Sequence, residues 1–408
     1  MGLIPKAVGS YVPQTRALRW LLALYVISAV VVAVQRTQPP PEYNFAIFRD
    51  AFTHLVSGQD LYAAYPATQV DVFKYSPTFA LLFAPFALLP VLPGYILWAL
   101  VCAGTVFAGV TRVLPSRPAA LALAIGWLAV VGDMQRAQTN ALCAGLIMLG
   151  WAAMEGEHQW TAAAAIITGG FVKLFPIAAL AGAIFHTRKW RFALVVLITV
   201  VVAAALPLLV IPWHALGTQY HSWRAVEARD AVPLARYGVG GADVYAGIMG
   251  LLRAWFGVTW PFWPTQLVGV ALLLAPLVRG PSAWTPRFRL DFLASTLVFC
   301  VLFNHQAESP SYSIAMLGAA VWFAASDRAW WRTAFMVACF VIVNIASSAV
   351  MPSTLYVGYY VKYLIKTVPL VPLWLVMQGE LFGLIRTAAE LQGVEVRERD
   401  VVPHQVSA

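Results

Sequence analysis

The sequence predicts an all-α, polytopic membrane protein of about twelve transmembrane helices with an amphipathic helix on its outer surface, and three observations predict it. Of the 408 residues, 61% are hydrophobic, more than a soluble core would bury. Charged residues supply only 11% and the mean hydropathy is +0.74, where soluble domains carry about 25% charge. The apolar residues also fall in runs, and at about 20 residues per crossing they allow at most about twelve spans.

The runs lie at about 18–34, 77–92, 95–111, 119–132, 139–154, 160–185, 190–211, 263–278, 288–303, 312–325, 332–350 and 361–382. The first, Leu18 to Val34, lacks a small-residue cleavage site and reads as a retained helix. No internal repeat is visible. A net charge of +9 would point to nucleic acid in a soluble protein. Here the basic residues sit in short connections, which is an orientation signal, and no nucleic-acid partner is expected. Lys6, Arg16 and Arg19, the segment His186 to Arg191, Arg279 to Arg289, Asp327 to Arg332 and the tail 386–408 are expected on the cytoplasmic side. The opposite face then receives an outer loop at 35–76, a second at 212–262, the turn 304–311 and the segment 351–360. Cys102, Cys143, Cys300 and Cys339 all lie inside apolar runs and read as small core residues.

Two topologies fit the middle of the chain. Arg112 and Arg117 favour an inside connection, which makes 77–92 a short re-entrant piece and splits 160–185 at Lys173. Otherwise 77–92 is a full span and 160–185 stays whole. Residues 44–57 differ from the runs around them. Phe45, Phe48, Phe52 and Leu55 recur at helical spacing, while Asn44, Arg49, Asp50, His54 and Ser57 take the other faces, and Gly58 follows. This is the pattern of an amphipathic surface helix stopped by glycine. The stretch 213–243 is too polar to span and reads as a second surface element.

Ionisable groups concentrate near the outer ends of the runs. Asp71, Lys74 and Tyr75 immediately precede Pro77, which is well placed to begin a helix. Asn304, His305 and Glu308 fill the turn between two apolar runs, and in a helical turn His305 and Glu308 would be i,i+3 neighbours. Arg136 lies among Asp133, Gln135, Gln138 and Asn140, while Lys173 interrupts an apolar run between Gly169-Gly170 and Pro176. Each group has a bland reading: a salt bridge closing a loop, a capped turn, a headgroup contact or amides at helix ends. Ionisable groups at a bilayer boundary are nevertheless functional candidates by default. The 16 Trp and 15 Tyr serve mainly as interfacial anchors.

The segments Tyr43 to Phe48, Leu55 to Tyr62 and Phe73 to Pro77 resemble the first-loop pattern of glycosyltransferase family 87. Gln135 to Asn140, Lys173 to Pro176 and Asn304 to Pro310 extend the resemblance over most of the chain. It implies a GT-C type membrane enzyme, such as the mycobacterial mannosyltransferases of that family, that uses a polyprenyl-phosphate sugar donor and inverts the anomeric centre. It implies a lipid or glycan acceptor, contact with membrane lipids, and a site on the outer face of a bacterial inner membrane. No cofactor or metal is called for, since lysine and arginine can carry the charge role.

The family pattern has an aspartate where this sequence has Asn44, and an amide cannot accept the proton of an attacking hydroxyl. The base is then expected to be Asp71 or Glu308, with Asp50 and Glu42 also present in outer loops. His305 would polarise a hydroxyl or hold phosphate. Lys74, Lys173, Arg136 and Tyr75 are the expected donor and phosphate contacts, and Gln135, Gln138, Asn140 and Asn304 the expected acceptor contacts. Two other readings stand beside this one: a transporter or flippase of a lipid-linked sugar, and a binding subunit that has lost activity.

Overall fold

The computed structural model describes residues 15–38, 42–230 and 246–385. Lys6, the rest of the stretch 213–243 and the tail 386–408 lie outside these residues. The described chain is all-α, with no strand among its residues. Its first helix, α1 (Arg16–Arg36), begins where Thr15 Oγ1 accepts the Leu18 amide at 3.3 Å.

The surface helix is α2 (Tyr43–Val56), and Gly58 at φ 70° turns the chain after it. Phe45, Phe48 and Leu55 are buried as expected, together with Ile47 and Ala51, while Phe52 is half-buried. This face packs into an aromatic cluster, with Phe48 edge-on to Tyr75 and Phe79 at 5.0 and 5.1 Å between centroids. The helix therefore rests its apolar face on protein.

The run 77–92 is not a span. Prolines 77, 85 and 90 divide it into α3 (Pro77–Leu82) and α4 (Ala84–Ala87), because each proline lacks the amide that a continuing helix needs. Ser76 accepts the Phe79 amide at 3.1 Å and Pro77 takes the first helical position. The end of α4 presses on α5 (Val91–Val113) at Gly94, where a Cβ would lie 2.4 Å from the Phe86 carbonyl oxygen. Helices α6 (Ser116–Gln135), α7 (Asn140–Glu155) and α8 (Gln159–Val172) follow.

The run 160–185 breaks at Lys173, which is extended at φ −142° and ψ 141°. Pro176 supplies the reason, since its ring has no amide to give to residue 172 and crowds that carbonyl. A 3₁₀ segment, Phe175–Phe185, then returns the chain to the end of the bundle from which α8 came. Helices α9 (Lys189–Ala205), α10 (Trp213–Asp230), α11 (Ile248–Phe256), α12 (Phe262–Leu274), α13 (Pro286–Leu302), α14 (Tyr312–Ala325), α15 (Trp330–Phe340), α16 (Ser353–Leu355) and α17 (Leu370–Leu381) complete the order.

Among the described residues, five helical stretches are long and apolar enough to cross a membrane: α1, α5, α6, α9 extended to Leu209 and α12 extended to Arg279. The other apolar runs form shorter or broken helices, so the bundle is not twelve uniform spans. At its centre, α14 is buried on all sides from Tyr312 to Ala324, against α6 and α13. Large apolar side chains are exposed on α1, α9 and α12, among them Ile27, Val31, Leu197, Val201, Leu267 and Val268, as a lipid-facing surface requires. The four cysteines are buried.

Candidate active site

The polar segments converge on one end of the bundle. The loop before α3 is anchored when Ser76 Oγ donates to the Phe171 carbonyl, Tyr62 Oη to Tyr75 O at 2.7 Å, and Trp223 Nε1 to Lys74 O at 3.2 Å. This ties it to α8 and α10. The turn after α6 is held by Tyr95, which donates to Met134 O at 2.7 Å, and Trp98, which donates to Ala137 O at 3.2 Å. Within that turn Ala137 adopts φ 47°, a left-handed backbone that costs roughly 1 kcal/mol for a residue with a Cβ. The reversal sends its neighbours apart: Gln138 lines one cavity and Arg136 another.

The first cavity has a volume of about 630 Å³. Asn44, Asp71, Lys74, Tyr75, Gln138, Lys173, Asn304, His305 and Glu308 all contribute to its wall. Val270, Phe299, Phe303, Phe175 and Ala178, from α12, α13 and the 3₁₀ segment, form an apolar wall. The hollow is thus amphiphilic, lined by both charged groups and hydrocarbon.

The charged side is a hydrogen-bonded chain. Lys173 Nζ donates to Asn140 Oδ1 at 2.9 Å and lies 3.4 Å from Gln138 Oε1. Gln138 Nε2 donates to Glu308 Oε2 at 3.4 Å, so one carboxamide separates the ammonium from the carboxylate. Tyr75 Oη reaches Gln138 Oε1 at 3.4 Å, and Lys173 Nζ stands 5.8 Å from the Tyr75 ring centroid. Desolvation, and after it the Glu308 carboxylate, pushes the Tyr75 phenol above its ordinary value, which keeps it a proton donor at neutral pH.

The expected residues take unequal positions. Asp71 is at the rim, with a side chain 54% exposed and paired to Lys74 at 3.1 Å. Glu308 reaches further into the charged wall. It is not in a helical turn with His305; its backbone is extended at φ −98° and ψ 167°, because the Asn304–Ala307 segment is a turn leading to a 3₁₀ helix at Ser309–Ser311. His305 Nδ1 lies 3.3 Å from Gln266 Nε2 and its ring packs near Phe262. Asn44 Nδ2 donates to Arg136 O at 2.8 Å, tying α2 to the turn.

Asn140 is fully buried and steadies Lys173 from beneath, so a ligand contact is not available to it. Gln135, Asp50 and Glu42 are not in the cavity wall. Asp50 Oδ2 accepts from Gln69 at 3.3 Å, and burial pushes the Glu42 carboxyl up against the pull of Arg36 and Arg136. Asp133, grouped in the sequence with Gln135, Gln138 and Asn140 near the outer ends of the runs, takes a supporting position instead. It is completely buried and accepts from Asn140 Nδ2 at 2.8 Å and the Ala141 amide at 2.9 Å, at the N-terminus of α7. A carboxylate seven residues before an asparagine that opens an apolar run was the available signal.

The opposite end of the bundle is basic. Arg112, Arg287, Arg289 and Arg328 gather there around a cavity of about 270 Å³, with Arg289 paired to Glu155 at 2.9 Å. Charge is therefore segregated between the two ends of an apolar bundle.

An apolar helical bundle with its polar groups gathered at a cavity at one end defines an integral membrane protein. The sequence model of glycosyltransferase family 87 matches residues 73–304, more than half of the chain, and the chain belongs to that family as a membrane glycosyltransferase. None of the curated proteins matches it. It is similar to a solved structure described as ArnT from Cupriavidus metallidurans bound to undecaprenyl phosphate, at 14% identity and a TM-score of 0.40, over 90% of this chain and 76% of that one.

Proposed function

We propose that the protein transfers a hexose, such as mannose, from a polyprenyl-phosphate donor to a lipid or glycan acceptor at the outer face of a bacterial inner membrane, with inversion. The observation that carries this reading is the amphiphilic cavity of about 630 Å³, in which Lys173 and Glu308 share a lining with Val270, Phe299 and Phe303. A prenyl-linked sugar phosphate has the same dual character, with hydrocarbon at one end and a phosphodiester and hydroxyls at the other. The cluster of Arg112, Arg287, Arg289 and Arg328 at the opposite end supports an outward-facing site, since basic connections are retained in the cytoplasm.

In the reaction, an acceptor hydroxyl oxygen bonds to the anomeric carbon as the bond from that carbon to the phosphate oxygen breaks. The electron pair leaves with polyprenyl phosphate, and the hydroxyl proton passes to Glu308. Lys173 answers the charge growing on the departing phosphate, and Tyr75 donates beside it. Glu308 suits the base role better than Asp71, because Asp71 is spent on Lys74 at the exposed rim. Asn44, which cannot take a proton, has a tethering role through Arg136 O.

The test is transfer by purified protein in lipid nanodiscs, supplied with radiolabelled polyprenyl-phosphate mannose and an extract of source membranes. A labelled product is expected. Labelled donor that is moved across sealed vesicles with no product formed would instead establish a flippase, and donor binding without either outcome a binding subunit.

A further inference from the structure

The second cavity, of about 160 Å³, adjoins the first and is lined by polar side chains together with Val343, Val361 and Leu364. Two backbone features form the partition between them. Arg136 belongs to the second cavity while its carbonyl oxygen holds Asn44 of the first. One step along the chain, from Glu308 to Ser309, passes from the first wall to the second. The carboxylate suited to deprotonate an acceptor thus stands beside this second hollow, and Lys173 lies beyond it across Gln138.

Its lining has a definite chemistry. The Arg136 guanidinium is exposed and forms no hydrogen bond among the described residues. Lys366 Nζ donates to Ser309 O at 3.1 Å and Ser309 Oγ at 2.6 Å, which fixes a second cation in the wall. The Asn344 Nδ2 donor is buried and has no hydrogen-bond partner among the described residues, a cost that a bound acceptor oxygen would remove. Ser347 and Ser348 add hydroxyls at the edge. Two cations, a waiting amide and hydroxyl groups match a polyhydroxylated molecule carrying an anionic group, and a hollow of this size leaves no room for a long hydrocarbon tail.

We infer that this cavity is the acceptor subsite, and that it takes a hydroxyl-rich glycan or headgroup bearing a phosphate or carboxylate. The inference rests on the donor reading of the first cavity. It gives the reaction two approaches: the donor from the apolar side with its phosphate at Lys173, and the acceptor from the polar side past Glu308. Attack from the side opposite the leaving phosphate is the geometry that inversion requires.

Arg136→Gln and Ser347→Trp test this, the first by removing the anion contact and the second by filling the hollow. Each variant, in nanodiscs, is photolabelled with a diazirine-bearing polyprenyl phosphate and assayed for transfer of radiolabelled mannose to source-membrane extract. The organic and aqueous phases are counted separately, so that a lipid-borne acceptor is told from a free glycan; product in either phase fits the class. Both variants are expected to photolabel like the wild type, and Arg136→Gln to need tenfold or more extract for half-saturation with little loss of maximal rate. An unchanged extract requirement in both variants, or a parallel loss of photolabelling, overturns the inference. Failure of the wild type itself to photolabel would count against the donor reading instead.

Discussion

Asp133 and Lys173 are joined through one carboxamide: Asn140 Nδ2 donates to the aspartate at 2.8 Å while its Oδ1 accepts from the lysine at 2.9 Å. The charge that faces the cavity is thereby referred to a carboxylate wholly inside the bundle. That carboxylate also receives the Ala141 amide, one of the donors at the start of α7 that the helix itself cannot satisfy. Removing it leaves Asn140 and the helix end unpaired in a dry setting. Asp133→Ala is expected to cost about 2–4 kcal/mol. A fall in Tm in detergent, followed by tryptophan fluorescence, measures it, and an unchanged Tm contradicts the account.

The proton-accepting role separates two carboxylates. Glu308→Gln keeps the shape and hydrogen-bonding capacity of the side chain but is not a base at neutral pH, so kcat should drop by roughly 10² to 10⁴. Asp71→Asn, at the exposed rim, should change kcat by less than about tenfold, because an exposed ion pair contributes only about 0–1 kcal/mol. The reverse ranking of the two variants would move the base to Asp71.

Lys173 is expected to act on the donor. Lys173→Met retains the stem and deletes a charge-assisted hydrogen bond of about 1.5–3 kcal/mol, which corresponds to a roughly 10- to 100-fold weaker grip on the donor phosphate. Titration of donor at saturating acceptor extract reads this directly. An unaltered donor KM and kcat would exclude the lysine from phosphate binding.

Restoring the family's aspartate should not help. In Asn44→Asp the carboxylate replaces a donor that holds Arg136 O at 2.8 Å, so two oxygens would face each other. A loss of about 1–3 kcal/mol is expected, with no gain in transfer. Raised activity in this variant would show that position 44 still has access to the acceptor hydroxyl.

Packing between α5 and α7 gives a prediction independent of chemistry. A Cβ at Gly145 would lie 2.5 Å from the Thr105 carbonyl carbon, whereas one at Gly104 would meet nothing within 4 Å. Gly145→Ala should destabilise by about 1–3 kcal/mol through overpacking. Gly104→Ala should be neutral or stabilising by up to about 1 kcal/mol, through helix propensity. Thermal melts of the two variants compare these effects.

Several features of the fold were legible because their causes are local. Pro176 marks the break at Lys173 and the spacing of Phe45, Phe48 and Leu55 marks α2, whereas 77–92 stayed open between a re-entrant piece and a full span until the structure showed its division at Pro85. The span count was less legible. Composition counts apolar residues without saying whether they meet lipid or protein, and α14 spends its apolar surface wholly on protein. The helical neighbourhood expected for His305 and Glu308 also failed, since the residues around them make turns as readily as helices.

The site was legible as a set of residues and not as an arrangement. Gln138 and Glu308 are 170 positions apart, and Asn44 and Arg136 are 92 apart. Hydropathy and residue type carry no information about such pairings. The left-handed Ala137, which sends Arg136 and Gln138 into different cavities, has no signature in its side chain. Membrane residence, helix breaks and the inventory of polar groups follow from composition and short-range sterics, and so could be read along the chain. Which groups share a cavity, and which of them lie buried beneath it, depends on how the helices pack. That is a property of long-range contacts between surfaces, which no linear pattern encodes.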